Sequence, residues 1–182
     1  RDSIQSLPKP LIAVIDLLAQ GKLVKAEQIC KLFLQKNPRN VEGMRLLSQI
    51  ALKLGVLDDA EFLLESALEF SPNNSRIRIE YIQVLRKRQN YAGALHQAKA
   101  LLELDKENPQ FQSVFAIEAM QSGDFENALI VFDKILEKIP EDPVTLTSRG
   151  HLLKTCGERE KAIDSYRRAI KKYPGHGEAY FS

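Results

Sequence analysis

The chain has 182 residues, of which 44% are hydrophobic and 27% are charged, and its formal net charge at pH 7 is +2. This composition supports a packed core, and the near-neutral charge excludes the strongly basic balance typical of a nucleic-acid-binding domain. The longest apolar stretch, residues 11–15, ends at Asp16, so it is too short to span a membrane.

One spacing dominates the sequence from beginning to end. Alanine recurs every 34 residues, at Ala26, Ala60, Ala94, Ala128 and Ala162. Glycine stands five residues before four of these alanines, at Gly21, Gly55, Gly123 and Gly157. Proline stands twelve residues after four of them, at Pro38, Pro72, Pro140 and Pro174. A repeat of this length is typical of stacked helical units, which present a surface rather than a pocket of catalytic groups.

Each repeat predicts two helices separated by a turn. Apolar residues recur at helical spacing on both sides of the glycine, which suits the left-handed position just past a helix end. Proline ends the second helix because it cannot continue the hydrogen-bond ladder. The ten predicted helices cover residues 9–20, 23–36, 41–54, 57–70, 75–88, 91–104, 109–122, 125–138, 143–156 and 159–172. No long stretch alternates with the period of a strand, so the predicted fold is all-α.

The third repeat departs from this pattern. Gln89 stands where the other repeats have glycine, and Lys106 stands where they have proline. Asparagine tolerates the left-handed conformation better than most residues. The sequence therefore predicts that Asn90 takes the left-handed position in this turn.

The recurring residues resemble the tetratricopeptide repeat (TPR), which has small residues at positions 8, 20 and 27, a bulky one at 24 and proline at 32. The fifth repeat matches this pattern with Gly150, Gly157, Ala162, Tyr166, Ala169 and Pro174. The resemblance covers nearly the whole chain and implies a right-handed α-solenoid of helix-turn-helix repeats, a single array over residues 1–182. The implied repeats are residues 7–40, 41–74, 75–108, 109–142 and 143–176, and residues 177–182 resemble the start of a sixth.

The resemblance also implies a binding groove, because the first helix of each TPR lines the concave face of the array. The groove residues expected here are Arg45, Gln49, Lys53, Arg76, Ile79, Gln83, Arg86, Lys87, Ile117, Met120, His151 and Lys154. Basic residues outnumber acidic ones on this face, which a solvated surface with a chance asymmetry would also explain. The sharper hypothesis is a groove for an extended, acidic peptide whose apolar side chains contact Ile79, Ile117 and Met120.

No catalytic constellation is recognisable in the sequence. The three histidines lie in different repeats without metal-ligand spacing, and no glycine-rich phosphate-binding motif occurs. We therefore expect no catalytic residue, metal or cofactor in this chain. Cys30 and Cys156 are far apart in the repeat register and are expected to be reduced, which suits the cytoplasm.

Two functional hypotheses follow. The first is a non-catalytic scaffold that binds a protein or an extended peptide, without a nucleic-acid partner and without a membrane span. The second rests on residues 174–182, which resemble the join that precedes the sulfotransferase domain in bacterial TPR-sulfotransferase proteins. That resemblance implies the repeat arm of a larger enzyme.

Self-association through the ends of the array is a further expectation. Leu11, Ile15 and Leu18 make the first helix apolar nearly all round, and a helix of that kind is normally buried. At the other end, Tyr180 and Phe181 begin a repeat that the chain does not complete.

Overall fold

The computed structural model of the chain describes residues 7–172, which form ten α-helices without a strand among them. The helices are α1 (Lys9–Ala19), α2 (Leu23–Lys36), α3 (Val41–Lys53), α4 (Leu57–Phe70), α5 (Ser75–Lys87), α6 (Tyr91–Leu104), α7 (Pro109–Gln121), α8 (Phe125–Lys138), α9 (Pro143–Thr155) and α10 (Arg159–Lys172). Every helix begins and ends within one residue of its predicted bounds, which confirms the all-α prediction. The predicted start of a sixth repeat, residues 177–182, lies outside the described residues.

The helices form two compact units. Unit 1 comprises α1 to α5 and extends to Asn90, and unit 2 comprises α6 to α10 and begins at Tyr91. Within each unit, consecutive helices pack on one another, and the contacts of α1 with α3 and of α7 with α9 join first helices of successive repeats. The boundary falls inside the third predicted repeat. The single array over residues 1–182 stays a prediction.

The recurring alanines lie in the cores of the two units. Ala26, Ala60, Ala94, Ala128 and Ala162 are each 2% exposed or less. A methyl side chain lets two helix backbones approach closely, and a larger residue there costs about 1–3 kcal/mol by overpacking. Their burial agrees with the helix contacts predicted from the spacing.

The turns inside the repeats use the left-handed conformation. Gly21, Gly55, Gly123 and Gly157 have φ between 71° and 83°, as predicted. In the third repeat the left-handed residue is Gln89, with φ of 60°, so the prediction of Asn90 is wrong. The backbone amide of Asn90 donates to the carbonyl of Leu85 at 2.9 Å. At the equivalent positions of the next repeat, the backbone amide of Asp124 donates to the carbonyl of Ala119 at 2.8 Å. Because this hydrogen bond recurs at the same repeat position, Gln89 takes the left-handed conformation, although asparagine tolerates that conformation better.

A second set of periodic residues begins the first helices. Asn40, Asn74, Asn108 and Asp142 are N-caps whose side chains accept hydrogen bonds from backbone amides of the first turn. The Asn40 and Asp142 bonds, from Gly43 and Thr145, are both 2.8 Å. Such a cap contributes about 1 kcal/mol. These residues are also 34 apart, a signal that our sequence analysis missed.

Candidate peptide-binding surface

The expected groove residues of unit 1 come from α3 and α5, whose outward side chains we call the first-helix face of unit 1. They are Arg45, Gln49, Lys53, Arg76, Ile79, Gln83, Arg86 and Lys87. Side chains three or four residues apart share one face of a helix, so each helix presents its members as a row. All of these side chains except Arg45 are half-buried or exposed, as expected for a row on the surface. Arg45 is buried.

Arg45 is buried, with only 3% of its surface exposed. Its guanidinium donates to both carboxylate oxygens of Glu42, at 2.9 and 2.5 Å, and to Oε1 of Glu80 on α5 at 2.9 Å. Gln49 donates to the same Glu80 oxygen at 3.4 Å. The hydrogen bond to Glu42 is the main cause that holds the pKa of Arg45 above its ordinary value. Arg45 therefore holds α3 against α5 and is not available to a ligand.

The remaining cations of this face are more accessible. The Arg76 side chain is 67% exposed, although its Nε lies 3.7 Å from Glu80. Lys53 and Lys87 are exposed and stand at the last positions of α3 and α5, where a positive charge also favours the helix dipole. The first-helix face of unit 1 thus presents exposed positive charge around two partly buried carboxylates, Glu42 and Glu80.

The expected groove residues of unit 2 serve the core and the helix contacts as well as the surface. Ile117 and Met120 on α7 are half-buried and pack against the core that contains Phe132. His151 on α9 is exposed, and its Nδ1 lies 3.1 Å from the hydroxyl of Tyr166 on α10. Lys154 is exposed in the last turn of α9.

An open cavity of about 280 Å³ lies between the N-terminal turns of α7 and α9. Its apolar lining comes from Val114, Ile135, Ile139 and Val144, of which Val144 is 51% exposed. Ile135 and Ile139 lie at the C-terminal end of α8, so three helices build the cavity. Our sequence analysis missed it, because no single helix carries a pattern that indicates it. We call it the unit 2 cavity.

The first helix, α1, is less exposed than its apolar sequence suggested. Leu11 is fully buried in the core of unit 1 together with Val14, and Leu18 packs partly against that core. Ile12 and Ile15 remain 44% and 41% exposed. Tyr180 and Phe181, at the other end, lie outside the described residues.

The two cysteines have opposite surroundings. Cys30 is buried, its Sγ donates to the carbonyl of Gly43 at 3.3 Å, and burial raises its pKa to about 11. Cys156 is exposed. Both are free, and each unit contains one cysteine, so neither unit can close a disulfide within itself.

Two other kinds of site are absent from residues 7–172. No group of three or more histidine, cysteine, aspartate or glutamate side chains in that range is placed to hold a metal ion. None of the helices described there combines the length and the apolar character needed to cross a membrane.

Comparison with known sequences places the chain among repeat proteins. Residues 31–145 match the family described as "Cytochrome c-type biogenesis protein H TPR domain", and residues 145–176 match "Tetratricopeptide repeat". Cytochrome c-type biogenesis protein CcmH of Escherichia coli is 26% identical over 111 residues, 59% of this chain and 31% of that protein. TPR repeat-containing protein MJ1345 of Methanocaldococcus jannaschii is 35% identical over 57 residues, 31% of this chain and 18% of that protein. The chain spans less than a third of the length of these relatives.

Solved structures show the same fold. A structure described as "YrrB: a TPR protein with an unusual peptide-binding site" has a TM-score of 0.75 at 20% identity, over 92% of this chain and 87% of that chain. MamA 41-end from Desulfovibrio magneticus RS-1 has a TM-score of 0.80 at 14% identity, over 92% and 94%. This likeness confirms the predicted α-solenoid class. With the match over residues 31–145, it follows that the chain belongs to the tetratricopeptide repeat family, as a member of the group described as the cytochrome c-type biogenesis protein H TPR domain.

Proposed function

We propose that the chain is a non-catalytic scaffold that binds an extended segment of a partner protein through its first helices. The observation that carries the proposal is the unit 2 cavity, which is open, mostly apolar and built by two first helices and the end of α8. Pockets of this kind accept the side chains of a bound peptide, and a few polar groups at the rim fix its position. Ser113 and Asp142 supply such groups.

The preference for acidic peptides is supported by the first-helix face of unit 1. Lys53, Arg76 and Lys87 are exposed there, whereas Arg45 is neutralised by two carboxylates. Charge attraction at an exposed surface is screened over about 8 Å at physiological salt. Binding of an acidic segment should therefore be modest and should weaken as salt rises.

The test uses short fluorescent peptides that combine one leucine with several aspartates and glutamates. Val144→Lys should weaken binding by about tenfold or more because it places a charge at the cavity. Ile163→Lys is the control, since Ile163 is 47% exposed on α10 of the same unit and outside the cavity. Equal loss in both variants, or in neither, would remove the unit 2 cavity from the proposal.

The charge preference has its own test. The double variant Lys53→Glu, Lys87→Glu should weaken binding of the acidic peptides by several-fold at low salt. The control is the double variant Lys25→Glu, Lys36→Glu, which makes the same change of charge at two exposed lysines of the second helix α2. If this control weakens binding as much as the Lys53, Lys87 variant does, the preference belongs to net charge rather than to this face.

A role in the assembly of c-type cytochromes is supported by the family match over residues 31–145 and by the resemblance to CcmH. We infer that the partner segment belongs to a protein of that process. Deleting the gene in its host should lower the covalently bound haem of c-type cytochromes on haem-stained gels. Unchanged haem staining would contradict this role and leave the peptide-binding proposal intact.

The alternative parent, a sulfotransferase with a repeat arm, rests on residues 174–182, which lie outside the described residues. The sequence that follows Ser182 in the gene decides it, because a sulfotransferase must contain a phosphate-binding loop for its sulfate donor. A stop or further repeats would favour the scaffold.

Compartment and self-association complete the proposal. The cytoplasm is supported by two free cysteines, one of them exposed, and cell fractionation tests it.

Self-association through α1 is supported by the exposed Ile12 and Ile15. Replacing both by lysine should raise the monomer fraction in sedimentation, and a chain that is monomeric before the change would exclude α1 as the contact.

A further inference from the structure

A second apolar pocket lies in unit 1, between the second helices α2 and α4. Its volume is about 180 Å³, and the C-terminal half of α3 contributes Leu47 and Ala51 to its lining. Phe62 and Leu63 of α4 form one wall, and Glu27 and Lys31 of α2 form the other. The pocket shares no residue with the expected first-helix groove.

The apolar rim of this pocket is unusually accessible. Phe62 is 68% exposed, the largest exposed fraction among the large apolar side chains of residues 7–172, and Leu54 and Val56 are 41% and 42% exposed. A phenylalanine in that position contributes little to the core of its own unit. Apolar surface that is contiguous and bordered by charged residues is typical of an interaction site.

One wall of the pocket, helix α4, is strongly negative. Helix α4 carries five acidic residues and no lysine or arginine, at Asp58, Asp59, Glu61, Glu65 and Glu69. The other second helices are less acidic, since α2 and α10 are basic on balance, α6 is neutral and α8 has one acidic residue more than basic ones. Asp58, Asp59 and Glu65 lie three or four residues from Phe62, and neighbours at that spacing share a helix face. Phe62 thus shares its helix face with these carboxylates, of which Asp59 also lines the pocket.

Part of this negative charge is already neutralised. Arg88 forms ion pairs with Asp58 and, at 2.6 Å, with Glu61, and Lys31 pairs with Glu27 at 2.5 Å. Within the described part of the chain, no ion-pair partner contacts Asp59, Glu65 or Glu69. These three exposed carboxylates are the ones that face solvent beside the pocket.

We propose that this surface binds a basic amphipathic helix of a partner protein. One apolar side chain of that helix enters the pocket, whose size is adequate, since a cavity of about 150 Å³ accommodates benzene. Lysine or arginine side chains on the flanks of the helix pair with Asp59, Glu65 and Glu69. A guanidinium can also stack on the exposed Phe62 ring. The first-helix face of unit 1 has the opposite charge, so the two surfaces select opposite partners.

The probe is a synthetic amphipathic peptide of about 15 residues, composed of leucine and lysine, titrated into the full chain and followed by fluorescence anisotropy. Phe62→Ser should weaken binding by about tenfold or more. Asp59→Asn, Glu65→Gln, Glu69→Gln should also weaken it and flatten its salt dependence. Far-UV circular dichroism checks that each variant is folded, and Phe62→Leu should keep most of the affinity.

The chain offers matched control positions for Phe62 and for Glu69. Ile130 stands two repeats after Phe62 at the same position and is 58% exposed on α8. Glu137 likewise corresponds to Glu69. Ile130→Ser and Glu137→Gln should leave the affinity within about twofold of the unchanged chain.

Three outcomes would overturn the proposal. In the first, Ile130→Ser weakens peptide binding as much as Phe62→Ser does. In the second, a peptide of leucine and glutamate binds as tightly as the peptide of leucine and lysine. In the third, the chain shows saturable self-association that Phe62→Ser abolishes. The last would make a second copy the occupant, through its basic α10. Phe62→Ser should leave the binding of acidic peptides unchanged, so failure here is distinguishable from failure of the proposed first-helix function.

Discussion

Arg45 in unit 1 and Thr147 in unit 2 stand at the same position of repeats two and five, three repeat lengths apart. Both are buried, with 3% and 2% of their surface exposed. The charge of Arg45 is met by Glu42 and Glu80, whereas the hydroxyl of Thr147 makes no hydrogen bond with any described residue. The register of the repeat fixes where a side chain points, but the neighbouring helix decides whether a polar group there is stabilised.

The first helices of the two units also present different surfaces. Unit 1 organises its face around Glu80, which accepts hydrogen bonds from Arg45 and Gln49. Unit 2 has an open apolar cavity at the N-terminal turns of its first helices. One repeat pattern therefore supports a charged surface in one unit and an apolar pocket in the other.

The largest effect is expected at Arg45. Arg45→Ala should lower the free energy of unfolding by about 3 kcal/mol, because it leaves Glu42 without its cation and Glu80 with only the more distant Arg76. Urea unfolding followed by circular dichroism measures the change. Lys53→Ala, on the same helix but exposed, should stay within about 0.5 kcal/mol. Equal effects of the two variants would show that the Arg45 ion pairs do not stabilise unit 1.

The next effect compares two helical glycines. A Cβ at Gly150 would lie 2.5 Å from the Tyr166 ring, which its hydroxyl ties to His151. A Cβ at Gly43 would lie 2.9 Å from the tip of the flexible Leu34 side chain. Gly150→Ala should cost about 2 kcal/mol of stability by overpacking. Gly43→Ala should be near neutral, since the gain in helix propensity of about 1 kcal/mol offsets a small shift of Leu34. The order of the two melting temperatures tests this.

Thr147 tests the other side of the opening comparison. Thr147→Val keeps the shape of the side chain and removes a buried hydroxyl without a partner, so it should stabilise the chain by about 1 kcal/mol. Thr147→Ser keeps the hydroxyl and loses a methyl group, so it should destabilise by about 1 kcal/mol. Urea midpoints that fall for both variants would mean that the Thr147 hydroxyl is satisfied in solution.

The smallest effect concerns the left-handed turn of the third repeat. The left-handed conformation destabilises a residue other than glycine by about 1–2 kcal/mol. Replacement by glycine removes this strain, but glycine loses more conformational entropy on folding, which offsets part of the gain. Gln89→Gly should therefore stabilise by about 0.5 kcal/mol, and Gly123→Gln should destabilise by a similar amount. Thermal unfolding of both variants checks the sign, and a destabilising Gln89→Gly would contradict the assignment of strain to Gln89.

The local features of the fold could be predicted from the sequence because each depends on a few neighbouring residues. The helix bounds were predicted within one residue, since in four of the five repeats glycine follows the first helix and proline follows the second, and the third repeat keeps the same register. The prediction of Asn90 is wrong, because the repeat register places Gln89 in the left-handed position of this turn. The N-caps at Asn40 and Asp142 were equally periodic and were overlooked.

The sequence by itself determined the family, the ten helices and the buried alanines, since helix periodicity and the repeat are properties of the chain alone. Only the tertiary structure decided which surface residues are available. Glu80, which is 35 residues from Arg45 in the sequence, accepts a hydrogen bond from its guanidinium and so makes it unavailable to a ligand. Each of the two pockets is lined by three helices. Burial, ion pairing and cavity shape depend on side chains that meet only when separate helices pack, and no pattern along one helix records them.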